Sequence, residues 1–258
     1  MIENHFLNQK TIGVVGLPGS GKSRVVQSLV EQFRCLQLDE YAFCEQQKGV
    51  FECSLIEKPL SIAGDTQIWC VVDVRSIIDE SDAWSASRLM TLLKISNAVV
   101  LSFVENSDLD TQAWWQRWLN QRFKDLNLAP MPVLRWFHQQ FHFTDNHMQN
   151  LSATIQRPDR TLQAFKPEVY QFDVNKVVLD HLLMGLDNSR RNLNMNIVRA
   201  HAVLETLEFD CLLELEVSAN RIDSYKIAQK TPKSNLTIMG FNLDKQWLEQ
   251  LVYASKVG

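Results

Sequence analysis

Two kinds of apolar pattern alternate along the first half of the chain. Thr11 to Leu17, Gln67 to Val74 and Ala98 to Val104 are short, nearly unbroken apolar runs, the signature of strands covered on both faces. Between and after them apolar residues recur at helical spacing. Gly21 to Phe33 places Val25, Val26, Leu29, Val30 and Phe33 on one side, and a second helix is expected from Ser81 to about Ile95. A third, Leu109 to Leu126, carries Trp114, Trp115, Trp118, Leu119 and Phe123 as a broad stripe, which reads as core packing rather than a ligand platform. Cys35 to Leu38 and Met131 to Trp136 complete the expected strands, and the cysteine-dotted stretch up to Gly64 shows neither period. Strand and helix in alternation predict an α/β domain with a mostly parallel sheet.

The pattern changes near Phe143. Leu151 to Gln156 reads as a strand and Asp173 to Leu186 as a helix with Val174, Val177, Val178 and Leu182 on one face. Strand-like segments follow at Ile197 to Leu204, Leu212 to Ser218, Ile222 to Ile227 and Leu236 to Met239, then a helix from Asp244 to Ala254. Runs of strands beside few helices predict a small α+β domain. The expected division is therefore residues 1–143 and 144–258, with no internal repeat or low-complexity linker between them.

Composition narrows the function classes. Net charge is −4 and the basic residues are scattered, which argues against a partner that presents a phosphate backbone. No apolar run approaches the roughly 20 residues of a membrane span, and Met1 to Lys10 lacks the apolar stretch of a secretory signal. The five cysteines, Cys35, Cys44, Cys53, Cys70 and Cys211, have no Cys-x-x-Cys spacing and read as free thiols of a reducing compartment. A cytoplasmic protein with neither nucleic-acid nor membrane partners is expected; the oligomeric state is left open.

The strongest motif is Gly16, Leu17, Pro18, Gly19, Ser20, Gly21, Lys22 and Ser23, which fits G-x-x-x-x-G-K-[ST] between an expected strand and an amphipathic helix. Its glycines let backbone N–H groups turn toward phosphate oxygens, and the helix that begins there adds the positive end of its dipole. Lys22 is expected to reach the β- and γ-phosphates and the Ser23 hydroxyl to ligate Mg2+, which makes these two the candidate catalytic residues. A nucleoside triphosphate, GTP or ATP, with Mg2+ is the expected ligand.

With that loop in place, the rest of the chain resembles the CobW family of P-loop GTPases, proteins associated with metal handling and cobalamin synthesis. Leu236-Thr-Ile-Met-Gly-Phe-Asn-Leu-Asp244 and the helix after it resemble the close of that family's C-terminal domain. Ile197-Val-Arg-Ala-His-Ala202 is similar to its Leu-Arg-Ala-Lys-Gly strand, with His201 in the lysine's place. Val71-Val-Asp73-Val leads, as in the family, into the base-recognition stretch, and Leu126-Asn-Leu-Ala-Pro-Met-Pro132 is similar to the segment entering the last strand of the GTPase domain. The resemblance implies a P-loop NTPase domain followed by a small α+β domain of CobW type. It also implies a GTP-preferring switch, with a metalloprotein client as a possible partner.

The departures are specific. Where the family has Asn-Lys-x-Asp, this chain has Glu105-Asn106-Ser107-Asp108, so Asp108 alone is carried over as a guanine-binding residue. Where the family has Cys-x-Cys-Cys, Val50, Glu52 and Cys53 stand, and one thiolate falls short of the three or four ligands that zinc takes. Cys53 is accordingly expected to be a small packing residue. Roughly 30 to 40 residues of the family's switch region are missing between Leu55 and Gln67, far beyond ordinary loop variation. Ile56-Glu57 is the nearest remnant. Asp39-Glu40-Tyr41 resembles the family's Asn-Glu-Phe turn, so Asp39 and Glu40 are candidate Mg2+ organisers, equally readable as a polar turn at a strand end.

His138, His142, His147 and Asp145 gather near the expected domain boundary, and the first two would share a face if their segment were helical. Packing and surface roles are the expectation there, with metal contact as the alternative. His181 is expected to be structural within a helix, and Arg190-Arg191 to sit favourably at a helix C-terminus. Whether the chain turns nucleotide over is open. A GTPase, a small-molecule kinase using Asp39 as base, and a non-hydrolysing adaptor all fit the loop.

Overall fold

The computed structural model describes residues 10–39, 48–53, 60–62, 66–79, 82–144, 146–147, 151, 161–162, 164–218, 221–227 and 235–257. The chain forms two compact units, Met1–Phe165 and Lys166–Gly258; the sequence pattern placed its division at Thr144.

The first unit is α/β. Its strands are β1 (Thr11–Gly16), β2 (Gly49–Glu52), β4 (Gln67–Asp73), β5 (Ala98–Ser102), β6 (Val133–Phe137) and β7 (Gln140–Phe141), in the order β2-β1-β4-β5-β6-β7. All pairings are parallel except the β6–β7 hairpin. Parallel strands need cover on both faces, and β4 shows it: Ile68, Trp69, Cys70 and Val71 are all fully buried. Helix α1 (Lys22–Phe33) packs Val25, Val26, Leu29 and Phe33 on one face, with Trp69, Leu134, Trp136 and Phe141. Helices α2 (Ala83–Ile95) and α3 (Leu109–Asp125) cover the other, through Leu89, Leu92, Leu93, Trp115, Leu119 and Phe123. Trp115 lies in that core while Trp114 and Trp118 pack against it part-exposed, so the aromatic stripe is a packing surface.

Several elements differ from expectation. Residues 35–38 contribute only a single bridge, Gln37 to Val50, because the strand on that edge is Gly49–Glu52, from the stretch whose pattern was silent. Strand β5 stops at Ser102, and Val104–Asn106 forms a 3-10 turn. The segment between β2 and β4 adds no strand to the main sheet among the described residues; β3 (Leu60–Ser61) pairs instead with β8 (Thr161–Leu162). Leu151 is helical and buried rather than in a strand, and 152–156 lie outside the described residues.

The second unit is an antiparallel sheet with helices on one face. Strands β9 (Glu168–Asp173), β11 (Asn196–Thr206), β12 (Leu213–Ser218), β13 (Arg221–Lys226) and β14 (Asn235–Phe241) run in the order β13-β12-β11-β14-β9, with β10 (Lys176–Val177) beside β11. Helices α4 (Leu179–Arg191) and α5 (Lys245–Ser255) bury Leu182, Leu186, Leu248 and Val252 against Ala200, Ala202, Leu215, Val217, Leu236 and Ile238. The expected helix from Asp173 to Leu186 was wrong at its start. Asp173 ends β9, Val177 belongs to β10, and α4 begins only at Leu179. His181 is exposed on α4 rather than part of its buried face.

Candidate functional site

The glycine-rich loop leaves β1 at the C-terminal end of the parallel sheet, where open α/β sheets bind ligands. Ser20 N–H donates to the Leu17 carbonyl at 3.1 Å and closes the turn. Gly19 and Gly21 take φ of 79° and 87°, the left-handed region that a Cβ penalises. A Cβ on Gly21 would stand 2.9 Å from the Phe103 ring, so the loop needs glycine there for space as well. Helix α1 has Gly21 as its N-cap residue and so no side-chain cap, which leaves its first N–H groups to an outside acceptor. The Ser20 hydroxyl is buried without a hydrogen-bond partner among the described residues. Lys22 folds across the loop, its Nζ donating to the carbonyls of Leu17 at 3.1 Å and Gly16 at 3.3 Å. Ser23 is exposed on the first turn of α1.

Strand β5 anchors this loop from the side. Ser102, fully buried, donates its hydroxyl hydrogen toward the carbonyls of Ser20, 2.8 Å away, and Val72, 3.1 Å away. The next residue, Phe103, is left-handed at φ 58° and lays its ring against Gly21. The stretch Glu105 to Asp108 thus leaves the sheet beside the phosphate-type loop. One carboxylate oxygen of Glu105 is buried with no partner among the described residues. Asp108 is exposed and N-caps α3, accepting from Thr111 N–H at 2.7 Å and Thr111 Oγ1 at 3.0 Å. Those two bonds hold its carboxyl below the usual carboxylate range.

A carboxylate to which the sequence reading gave no role stands at the end of β4. Asp73 is in register with Ser102, and two residues before it Val71 is opposite Gly16. Arg75 grips Asp73 with Nη2 to Oδ2 at 2.7 Å and Nε to Oδ1 at 2.9 Å, while its guanidinium lies 3.5 Å from the centre of the Phe103 ring. The signal was legible: an acidic residue closing a buried strand that neighbours the loop strand.

The other candidates are dispersed. Asp39 is exposed beyond the Gln37 bridge, and Glu40 lies outside the described residues, as do Tyr41, Cys44, Ile56, Glu57 and Asp145. Cys53 is buried in the first unit's core, Val50 in the cluster on the opposite side of the sheet, and Glu52 is half-buried. Burial pushes the Cys70 thiol up to about 12, against the pull of Lys22, and the Cys35 thiol to about 11, so neither offers a thiolate at neutral pH. His138 and His142 do not share a helical face. His138 and Gln139 are the two left-handed residues of the β6–β7 turn, and the chain there is a hairpin. Among the described residues the one group of three close ligating side chains is His201, Glu214 and Glu216, in the second unit.

Fold and loop together define an α/β protein of the P-loop NTPase type, followed by an antiparallel α+β unit. No family model matches the chain, and no curated protein matches it. Among solved structures it is similar to the Zn(II)-bound YjiA GTPase from E. coli, at 10% identity over 97% of this chain and 100% of that one, with a TM-score of 0.35. A Zn(II)-bound triple mutant of YjiA GTPase also matches, at 10% identity over 99% of this chain and 94% of that one, with a TM-score of 0.31. Overlaps this low leave the functional reading to the residues themselves. No helix among the described residues is long and apolar enough to cross a membrane.

Proposed function

We propose that the first unit binds a nucleoside triphosphate with Mg2+ at Gly16–Ser23, GTP in preference to ATP. We further propose that the chain works as a CobW-type nucleotide switch in metal or cofactor handling, with weak turnover at most. The observation that carries the reading is the uncapped start of α1 behind a loop whose two left-handed glycines and orphaned Ser20 hydroxyl await acceptors and donors from a ligand. The residues therefore fit a bound phosphate chain. Lys22 would leave the Gly16 and Leu17 carbonyls for phosphate oxygens, and Ser23 would offer its hydroxyl to the metal. Asp73, once released from Arg75, would be the described carboxylate nearest in register to the loop strand that could help hold Mg2+, with Asp39 and Glu40 as further candidates. Magnesium, if bound, would supply neutralisation of the phosphate charge.

Weak turnover is supported by the segment between β2 and β4, whose described strand, β3, pairs with β8 and not with the sheet that carries the loop. Guanine preference is supported by Asp108 and by the unpartnered Glu105 oxygen beside the loop. The test is Lys22→Ala in a nucleotide titration. A loss of at least about tenfold in triphosphate affinity, about 1.4 kcal/mol, is expected with an unchanged melting curve. Unaltered affinity for GTP and ATP would remove the loop from the binding site. Phosphate release at the spontaneous rate with binding intact would select a non-hydrolysing adaptor.

A further inference from the structure

The sheet of the second unit has two unlike faces. Ala200, Ala202, Leu215 and Val217 point into the core under α4 and α5, so the alternating residues Arg199, His201, Glu214 and Glu216 share the opposite face. Register brings them together: His201 is directly opposite Glu216, and Glu214 is its diagonal neighbour on the same strand. His201 Nε2 stands 3.2 Å from Glu214 Oε1 and 3.8 Å from Glu216 Oε1, and one ligand atom from each of the three lies within 4.8 Å of the others.

We propose that His201, Glu214 and Glu216 bind a divalent transition metal of the zinc class. A zinc ion with ligand bonds of about 2.0–2.1 Å and tetrahedral angles holds its ligand atoms about 3.3 Å apart. The two imidazole–carboxylate separations bracket that spacing. Imidazole nitrogen and carboxylate oxygen are both donors that zinc takes, and three protein groups would leave a fourth position for water or a substrate, as in open zinc sites.

Electrostatics favour the ion as well. Glu214 and Glu216 project from the same face two residues apart, which sets two carboxylates side by side, an arrangement that a cation between them relieves. Arg199 offsets Glu216 with Nη2 to Oε1 at 2.9 Å, and Arg221 is taken up by Asp223, the residue opposite Glu216 on β13. Glu214 faces the imidazole and, across the strand, Tyr225, whose hydroxyl donates to Asp223 at 2.8 Å. A dication between the three groups answers a surplus of negative charge that the two arginines leave at Glu214. Arg199 then acts as a competitor for Glu216, not as part of the site.

The test uses the full chain stripped of metal, with zinc titrated in competition with a chromophoric chelator. One zinc per chain is expected. His201→Gln and Glu214→Gln should each weaken it by at least about tenfold, the scale on which even outer partners act. Arg199→Met should leave the affinity equal or tighter. Melting curves recorded in chelator should coincide for all four proteins, and if His201→Gln fails to fold, Glu214→Gln decides. The proposal is overturned by the absence of a micromolar or tighter site, by affinity indifferent to both ligand substitutions, or by a tenfold loss in Arg199→Met. It is equally overturned if zinc is lost only when His138 and His142 are replaced.

Discussion

Both carboxylate oxygens of Asp108 are held by Thr111, so this residue holds a helix start and, in the proposed function, also meets a base. Its lowered pKa fixes the sign of a pH effect. A carboxyl that titrates lower in the folded chain stabilises it above the unfolded value, about 3.9, and that contribution is lost as pH falls through the folded value. Asp108→Ala should therefore lower the melting temperature at neutral pH, with the gap to wild type closing below about pH 4. The same variant tests base choice. Asn106 lacks the long aliphatic stem that lysine would lay along a base, so GTP should be preferred over ATP only about tenfold, and Asp108→Ala should erase the preference. A melting gap that persists at low pH would deny the cap its charge. A preference of several thousandfold, or one indifferent to Asp108, would move base recognition elsewhere.

At the scale of elements, β5 connects the sheet's core to the phosphate-type loop through one hydroxyl. Ser102 is wholly buried and lies between the Ser20 and Val72 carbonyls, so Ser102→Ala removes the tie while leaving the surrounding packing almost unchanged in volume. A stability loss of about 1–2 kcal/mol is expected in denaturant titration, because the carbonyls stay buried after their donor is gone. Triphosphate affinity should fall with it; if affinity is unchanged, β5 does not position the loop. This tie was not legible in the sequence, where Ala98 to Val104 is simply an apolar run. What was legible follows from period: β1, α1, β4, α2 and α3 each bury a single face or a whole strand, and the pattern reports that burial directly. The failures came where spacing is shared by different structures. Val174, Val177 and Leu182 recur as a helix would have them, yet the first two precede α4 and reach the same core from a loop and from β10. Val50 and Phe51 are fully buried in β2, four residues too short to show a period between cysteine-dotted neighbours. The phosphate-type loop was readable because its glycines answer a local backbone demand. The grouping of His201 with Glu214 and Glu216 was not, since strand register across a hairpin is set by pairing that no single segment displays.

For the whole molecule, the two proposed ligands belong to different compact units, each with its own buried core. That separation makes the proposals testable in one experiment, since a ligand stabilises the state that binds it and protects the backbone whose opening would release it. Hydrogen exchange of the full chain should respond in two distinct places. GTP with Mg2+ at 100 times its dissociation constant contributes about 2.7 kcal/mol. It should slow exchange at the loop from Gly16 to Ser23 and the first turn of α1, whose N–H groups have no side-chain cap. Zinc should instead slow exchange along β11 and β12 near His201, Glu214 and Glu216, where cross-strand bonds lie beneath the ligating side chains. His201→Gln should abolish the second pattern and spare the first, and Lys22→Ala should do the reverse. Zinc protection confined to residues 10–144, or nucleotide protection that leaves Gly16 to Ser23 unchanged, would reject the corresponding site while leaving the other standing.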